Sequence, residues 1–302
     1  MKIGIDLGGS HIAIGVVDED GKIIDRVEYK LSEFQINEKK DKMKDYIINI
    51  VNELRQEYEI TSIGIAIPGT VDSKRIIKSV NLGIENYNIV DELQDIIELP
   101  ISIKNDAKCA ALAESKYGCI NGYNRALFFT LGTGVGTAVI INSKLLDAGE
   151  LPGCEAGHMI IQKEGLLCNC GKRGCLEKYA SMKAFKDSLR NKLPYREYQT
   201  GEMLEKLLIE RTDNEDINKK IDETVDEYIE YLAIGISNLI NIFEPEVIGI
   251  GGSFVFFAES LIPILKQKLL EGNFLFNSRD DIEINVASLG NDAGIIGAVL
   301  GD

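Results

Sequence analysis

Three cysteines stand within eight residues, Cys168, Cys170 and Cys175, and His158 lies ten residues before the first of them. Tetrahedral Zn²⁺ takes four nitrogen or sulfur ligands, and three thiolates with one imidazole make a standard set. Gly171 and Gly174 separate the second and third cysteine, so the backbone can turn through positive φ and fold three sulfurs around one ion. The competing reading is three buried thiols and a satisfied core histidine, since C-x-C-x₄-C is not the common C-x₂-C spacing. The two glycines and the nearby histidine favour metal. A carboxylate brackets each end, with Glu155 three residues before His158 and Glu177 two residues after Cys175. A metal-pinned loop that aims two acidic side chains suits a polyhydroxylated ligand.

Two glycine-rich turns suit phosphate. Asp6-Leu7-Gly8-Gly9-Ser10 follows a strand-like run, and its glycines let backbone N–H groups approach an anion while Asp6 holds Mg²⁺ directly or through water. Taken alone, the stretch reads more readily as an ordinary Gly-Gly hairpin than as a phosphate site. Thr130-Leu131-Gly132-Thr133-Gly134, followed by the apolar run from Thr137 to Ile141, echoes it. Two such turns cradling one polyphosphate account for the echo better than two unrelated hairpins, and the echo predicts two related lobes. Gly251-Gly252-Ser253 sits at a strand–helix junction, where the glycine pair admits a flat ring, a phosphate or a close packing contact. Asp106 has two readings, a helix N-cap and a general base.

Strand–helix alternation positions these groups. Strands are predicted at 2–5, 12–17, 22–24, 62–67, 101–104, 247–250 and 282–287. Helices are predicted over 38–58, near 91–97, and over 107–116, 178–192, 222–243 and 295–300. Residues 69–90 read as a polar loop and 193–216 as a solvated helical excursion. Such alternation implies mainly parallel, helix-covered sheets, whose ligands sit beyond strand carboxyl ends. Gly69, Asn105 and Asp106 all fall at such ends.

The formal net charge of −15 argues against a nucleic-acid or other phosphate-backbone partner. No apolar run reaches the roughly 18 residues that a membrane span needs. With six cysteines and no secretory leader, a reducing, cytoplasmic setting is expected.

Taken together these residues resemble the ROK family of sugar kinases and their repressor relatives, over essentially the whole chain. Asp6-Leu7-Gly8-Gly9-Ser10 is similar to the family's first phosphate motif, with Ser10 where Thr is usual, and Gly132-Thr133-Gly134-Val135-Gly136 to its second. Asn105-Asp106 is similar to its substrate and catalytic pair. Glu155-Ala156-Gly157-His158 matches its E-x-G-H motif, and residues 168–177 match its zinc signature C-x-C-G-x-x-G-C-x-E. Gly251-Gly252-Ser253 and Gly290 to Gly294 are weaker matches to its nucleotide segments.

The resemblance implies an α/β, actin-like (ribonuclease-H-like) two-lobe ATPase fold with an interlobe cleft. A small lobe over 1–118 plus 291–302 and a large lobe over 119–290 are expected, the latter carrying a zinc loop over 158–175. It implies ATP with Mg²⁺, structural Zn²⁺ on His158, Cys168, Cys170 and Cys175, and commonly a homodimer. Asp106 would deprotonate a sugar hydroxyl, usually O6. Gly69, Asn81, Asn105, Glu155, His158 and Glu177 would bind the sugar. Asp6, Gly8, Gly9, Ser10, Gly132, Thr133, Gly134, Gly251 and Gly252 would bind the nucleotide. Glucose is the expected substrate, with N-acetylmannosamine, another N-acetylhexosamine and allose as alternatives. A non-catalytic, sugar-binding repressor is the less favoured reading, because the first motif begins at residue 6 and leaves no room ahead of it for a helix-turn-helix module.

Overall fold

The computed structural model describes residues 1–9, 11–31, 36–146, 153–193 and 200–301. Ser10 therefore lies outside the described residues. The chain divides into two compact units, one of Met1–Gly122, Lys144–Cys154 and Leu289–Asp302, the other of Tyr123–Ser143 and Glu155–Ser288. The two-residue strand β11 spans Lys144–Leu145.

The first unit is built on β1 (Lys2–Leu7), β2 (His11–Val17), β3 (Ile23–Lys30), β4 (Ser62–Ile67) and β8 (Ile101–Asn105), in the order β3-β2-β1-β4-β8. β1 to β3 are antiparallel neighbours, while β1, β4 and β8 run parallel, with Asp6 opposite Ala66 and Ile67 opposite Asn105. Three parallel strands thus end together at Leu7, Ile67 and Asn105, the edge where open α/β sheets carry their ligands.

Both faces of this sheet are covered, which is why its strands are apolar throughout. Ile3, Ile5 and Leu7 join Ile14, Ile63, Ile65 and the helix residues Met43, Ile47 and Val51 in one fully buried cluster. The last three lie on α1 (Ile36–Glu57) at four-residue spacing, one stripe of the helix. α2 (Ile89–Ile97) adds Ile89, Val90, Leu93 and Ile97 to the same cluster. On the other face, α9 (Ala293–Ala298) and α3 (Asp106–Tyr117) pack so closely that only glycine fits between backbones. A Cβ on Gly4 would lie 2.1 Å from the Ile295 carbonyl oxygen, and one on Gly64 1.9 Å from that of Ala298.

The stretch expected to be a polar loop contains a small antiparallel sheet, β5 (Thr70–Val71), β6 (Ile76–Ser79) and β7 (Ile84–Tyr87). Its strands are short and half polar, but Val71, Ile76, Ile84 and Tyr87 turn inward and join the main cluster.

The second unit repeats the plan. β9 (Arg125–Leu131) pairs antiparallel with β10 (Val135–Ile141) and parallel with β12 (Val247–Gly251), which pairs parallel with β13 (Ile284–Val286). The sequence echo is therefore structural: β1–β2 and β9–β10 are the same hairpin, each beside a parallel strand. Residues 178–192, expected to be continuous helix, form α4 (Glu177–Ala180) and α5 (Met182–Lys192), broken at Ser181, which caps α5 by accepting the Ala184 N–H at 3.2 Å. α6 (Gly201–Glu210) buries Leu204, Leu207 and Leu208, so part of the segment expected to be solvated is packed. α7 (Glu215–Phe243) is buried nearly all round near Leu232, Ala233 and Ile236. A 3₁₀ turn, Gly252–Phe257, leads into α8 (Ala258–Glu271).

Candidate active site and metal centre

In the first unit, the site residues gather at the carboxyl ends of β1, β4 and β8. Gly69 has φ +108°, and a Cβ there would meet the Lys78 carbonyl oxygen at 2.3 Å, so the turn after β4 requires glycine. Its own carbonyl accepts the Asn105 Nδ2–H at 3.0 Å. Asn105 Oδ1 accepts the Lys108 N–H at 3.2 Å, which makes Asn105 the N-cap of α3. That corrects the capping alternative for Asp106, which is the first residue inside the helix and accepts the Ala107 N–H at 2.8 Å. A carboxylate in the first turn is favoured by the helix dipole.

Asp6, the penultimate residue of β1, lies close enough to Asp106 for the two charges to interact. Burial, then the negative charge of Asp106, raises the Asp6 carboxyl from 3.8 to about 7, with the Arg26 guanidinium opposing. A site that strains to ionise two carboxylates suits a cation. A Cβ on Gly294 would lie 2.5 Å from Asp6 Oδ2, so α9 also closes over this carboxylate. After Gly8, whose N–H donates to the His11 carbonyl at 2.8 Å, Gly9 faces Asn81: a Cβ on Gly9 would sit 3.2 Å from the Asn81 Cβ. The structure therefore gathers Asp6 with Asp106, Asn105 with Gly69, and Gly9 with Asn81.

In the second unit, His158, Cys168, Cys170 and Cys175 place their ligand atoms within 4.8 Å of one another. The Cys170–Cys175 Sγ separation and the His158 Nδ1–Cys168 Sγ separation are both 3.6 Å. Zinc–sulfur bonds of about 2.3 Å in a tetrahedron give edges of about 3.8 Å, so the four donors fit one Zn²⁺. Cys168 and Cys175 are buried. Burial and then the adjoining thiols push Cys175 up to about 12, so this thiol stays protonated without a cation to hold the thiolate.

The loop around these donors is shaped by glycine. Gly171 has φ +90° and Gly174 φ +81°, and a Cβ on Gly174 would stand 1.8 Å from the Gln162 carbonyl oxygen. The Cys168 N–H donates to the Lys172 carbonyl at 2.8 Å and the Gly171 N–H to the Cys168 carbonyl at 2.9 Å, which closes the turn.

The metal cluster and the second glycine turn touch. Glu177 Oε2 accepts the Val135 N–H at 3.1 Å, and its Oε1 lies 3.8 Å from Cys168 Sγ. A Cβ on Gly134 would fall 2.4 Å from Glu177 Oε2, so a side chain there would displace this carboxylate. Gly157 packs on the same strand start, where a Cβ would meet the Val135 carbonyl oxygen at 2.0 Å. The Ala156 N–H donates to Thr137 Oγ1 at 3.0 Å, and Glu155 begins the 3₁₀ turn Ala156–His158 with its side chain exposed. Glu155, His158, Glu177 and Gly132 to Gly134 are therefore one assembly.

Gly251 and Gly252 receive a packing explanation. Gly252 has φ +74°, and a Cβ on it would lie 2.6 Å from the Leu131 carbonyl oxygen; one on Gly251 would lie 3.1 Å from the Ala287 Cβ. Gly132, by contrast, has nothing within 4 Å of where its Cβ would be. Sequence reasoning passed over Arg26, which offsets charge at Asp6, and Thr137, which anchors the E-x-G-H turn. Neither carries a local signal, since Arg26 lies on an alternating strand and Thr137 inside an apolar one.

Two α/β units with repeated hairpins define the actin-like fold. The ROK family model matches residues 2–300, and the chain belongs to that family. It is 30% identical to a glucokinase of Thermotoga maritima, over 98% of this chain and 95% of that protein. It is 29% identical to the xylose repressor of Bacillus subtilis, covering 98% of this chain and 75% of the repressor. Among solved structures it resembles a ROK family glucokinase from Streptomyces griseus in complex with glucose and AMPPNP, with TM-score 0.81, 25% identity, and 98% and 97% of the two chains covered. No helix among the described residues is long and apolar enough to cross a membrane.

Proposed function

We propose that this protein is an ATP-dependent sugar kinase that phosphorylates a hexose on its 6-hydroxyl, with glucose as the substrate. The observation that carries this reading is the pair of carboxylates at the strand ends, Asp106 beside Asp6, with the cap of α3 supplied by Asn105. One carboxylate serves as base and the other as cation holder.

Phosphoryl transfer needs an alcohol in line, a group to take its proton, and neutralisation of charge on the phosphates. Mg·ATP supplies the phosphoryl group and part of that neutralisation when bound. Asp106 accepts the hydroxyl proton, late in the reaction, so its pKa need not be high. Asp6 would hold the Mg²⁺, directly or through water. Asn105 is fixed at both ends of its amide by Gly69 and Lys108, yet keeps one N–H and one lone pair for a sugar hydroxyl. Glu155 and Glu177 accept hydroxyls of the ring, and carboxylates in such places reject analogues that lack the matching hydroxyl. His158 would offer Nδ1 to a zinc ion and its other nitrogen to the sugar. With Cys168, Cys170 and Cys175 it would supply four protein donors, so the ion would serve as a structural pin for the sugar loop. Asn81 and Gly69 border the sugar; Gly8, Gly9, Ser10, Gly132, Thr133, Gly134, Gly251 and Gly252 border the nucleotide.

The test is Asp106→Asn. We expect sugar binding to persist, with kcat lowered by about 10²–10⁴-fold. A wild-type kcat in this variant refutes the assignment of the base. The 29% identity to a xylose repressor supports a second reading, sugar binding without turnover. Sugar binding by the wild-type protein with no ADP release would select it.

A further inference from the structure

Helix α5 runs past both glycine turns of the second unit. At its start the Lys183 N–H donates to the Gly132 carbonyl at 3.1 Å. Further along, Lys186 Nζ lies 3.5 Å from Ser253 Oγ and 5.3 Å from the centroid of the Phe257 ring. Gly252, next to Ser253, rests against Leu131, next to Gly132. Gly132, Ser253 and the start of α5 are thus neighbours within one unit.

The cations of α5 differ in what they face. Lys183 and Arg190 pair with Asp187, and Lys192 pairs with Glu227. Lys186 instead reaches a neutral hydroxyl. It is half-buried, and burial, then the charge of Arg190 four residues on, pushes its pKa down, with Glu205 opposing. Burial and a neighbouring like charge both disfavour this ammonium, and an anion brought beside it would relieve that cost. Packing already accounts for Gly251 and Gly252, so those glycines do not by themselves mark a ligand. The lysine is a separate observation.

We infer that Lys186 is a nucleotide-binding residue, its ammonium receiving phosphate oxygens of the donor beside Gly132 and Ser253. The identity of the anion rests on the kinase reading above; the placement of the cation does not. A lysine contacts phosphate as a point charge, and a charge-assisted hydrogen bond is about twice as strong as a neutral one.

The experiment compares Lys186→Met, Lys186→Arg and Ser253→Ala with wild type. It measures binding of Mg·ADP by calorimetry, KM for Mg·ATP, KM for sugar, kcat and Tm. Loss of one charge-assisted contact predicts that Lys186→Met weakens Mg·ADP binding and raises the ATP KM by about tenfold or more. Sugar KM stays within about twofold, and Lys186→Arg recovers most of the loss. Ser253→Ala removes the hydroxyl contact but leaves the charge, so it weakens Mg·ADP binding much less than Lys186→Met does. Unchanged Mg·ADP affinity in Lys186→Met overturns the inference. So does an equal loss in Lys186→Met and Ser253→Ala, which would make the lysine a tether between α5 and the turn. If Lys186→Met fails to fold, Lys186→Gln carries the same comparison. Calorimetry needs no sugar turnover, so wild-type protein that binds Mg·ADP yet phosphorylates no sugar would sink the kinase reading while leaving the lysine to its own data.

Discussion

Replacing Asp6 with asparagine isolates the cost of a buried carboxylate. In the protein without nucleotide or Mg²⁺, burial and the Asp106 charge raise Asp6 from 3.8 to about 7. The folded state therefore binds more protons than the unfolded state between those values, and stability falls as pH rises through that window. The stabilising contribution is fully present below about pH 4 and is lost by about pH 7. At 1.36 kcal/mol per pH unit the loss reaches about 4 kcal/mol, and the Asp6→Asn variant does not suffer it. The assay is urea unfolding of both proteins in EDTA-free, Mg²⁺-free buffer at half-unit steps from pH 4.5 to 8.5. Subtracting the two profiles cancels every titrating group that is not coupled to Asp6. The stability of Asp6→Asn relative to wild type should rise with a slope near 1.4 kcal/mol per pH unit and level off above about pH 7. Saturating Mg·ATP should shrink the difference, because a bound cation favours the carboxylate. Parallel profiles would refute the claim that Asp6 is held against ionisation. A difference that grows toward low pH would mean that Asp6 is a stabilised, paired carboxylate instead.

Three further outcomes follow from the same geometry. Asn105→Ala removes the α3 cap and the tie to Gly69, and should cost about 2–3 kcal/mol in chemical unfolding; a loss below about 0.5 kcal/mol would contradict both bonds. Elemental analysis of wild-type protein should give one zinc per chain, and Cys175→Ala should lose it; metal-free wild type that is fully folded would exclude the Cys₃His assignment. Gly64→Ala drives a Cβ into the Ala298 carbonyl and should lower stability by at least about 1–3 kcal/mol, while Gly132→Ala, with open space at its Cβ, should keep its Tm and weaken nucleotide binding. Equal Tm losses at both positions would remove the distinction between a packing glycine and a ligand glycine.

The parts of the fold legible in the sequence are those that glycine punctuates. The hairpin after Asp6 and its echo after Thr130 announce themselves because strand, turn and strand each leave a local mark. The metal loop is legible for the same reason: its donors and its two positive-φ glycines lie in one short segment. What escaped depends on distant partners. Strands β5 to β7 are two to four residues long, too short to show a period, and are held by inward side chains that join a core built mostly elsewhere. Asn105 and Asp106 are both good caps by type, and only the backbone decides that the asparagine takes the position. Glu177 Oε2 on the Val135 N–H and Lys186 beside Ser253 join residues 42 and 67 positions apart, with nothing nearby in sequence to flag either.

The most direct test of the central claim is ADP release by zinc-replete protein supplied with Mg·ATP and, one at a time, glucose, N-acetylmannosamine, N-acetylglucosamine, allose or no sugar. A sugar kinase specific for glucose gives turnover with glucose well above the sugar-free rate, and 6-phosphorylated glucose as product. Release at the same rate with and without sugar, or none with any of them, would contradict it.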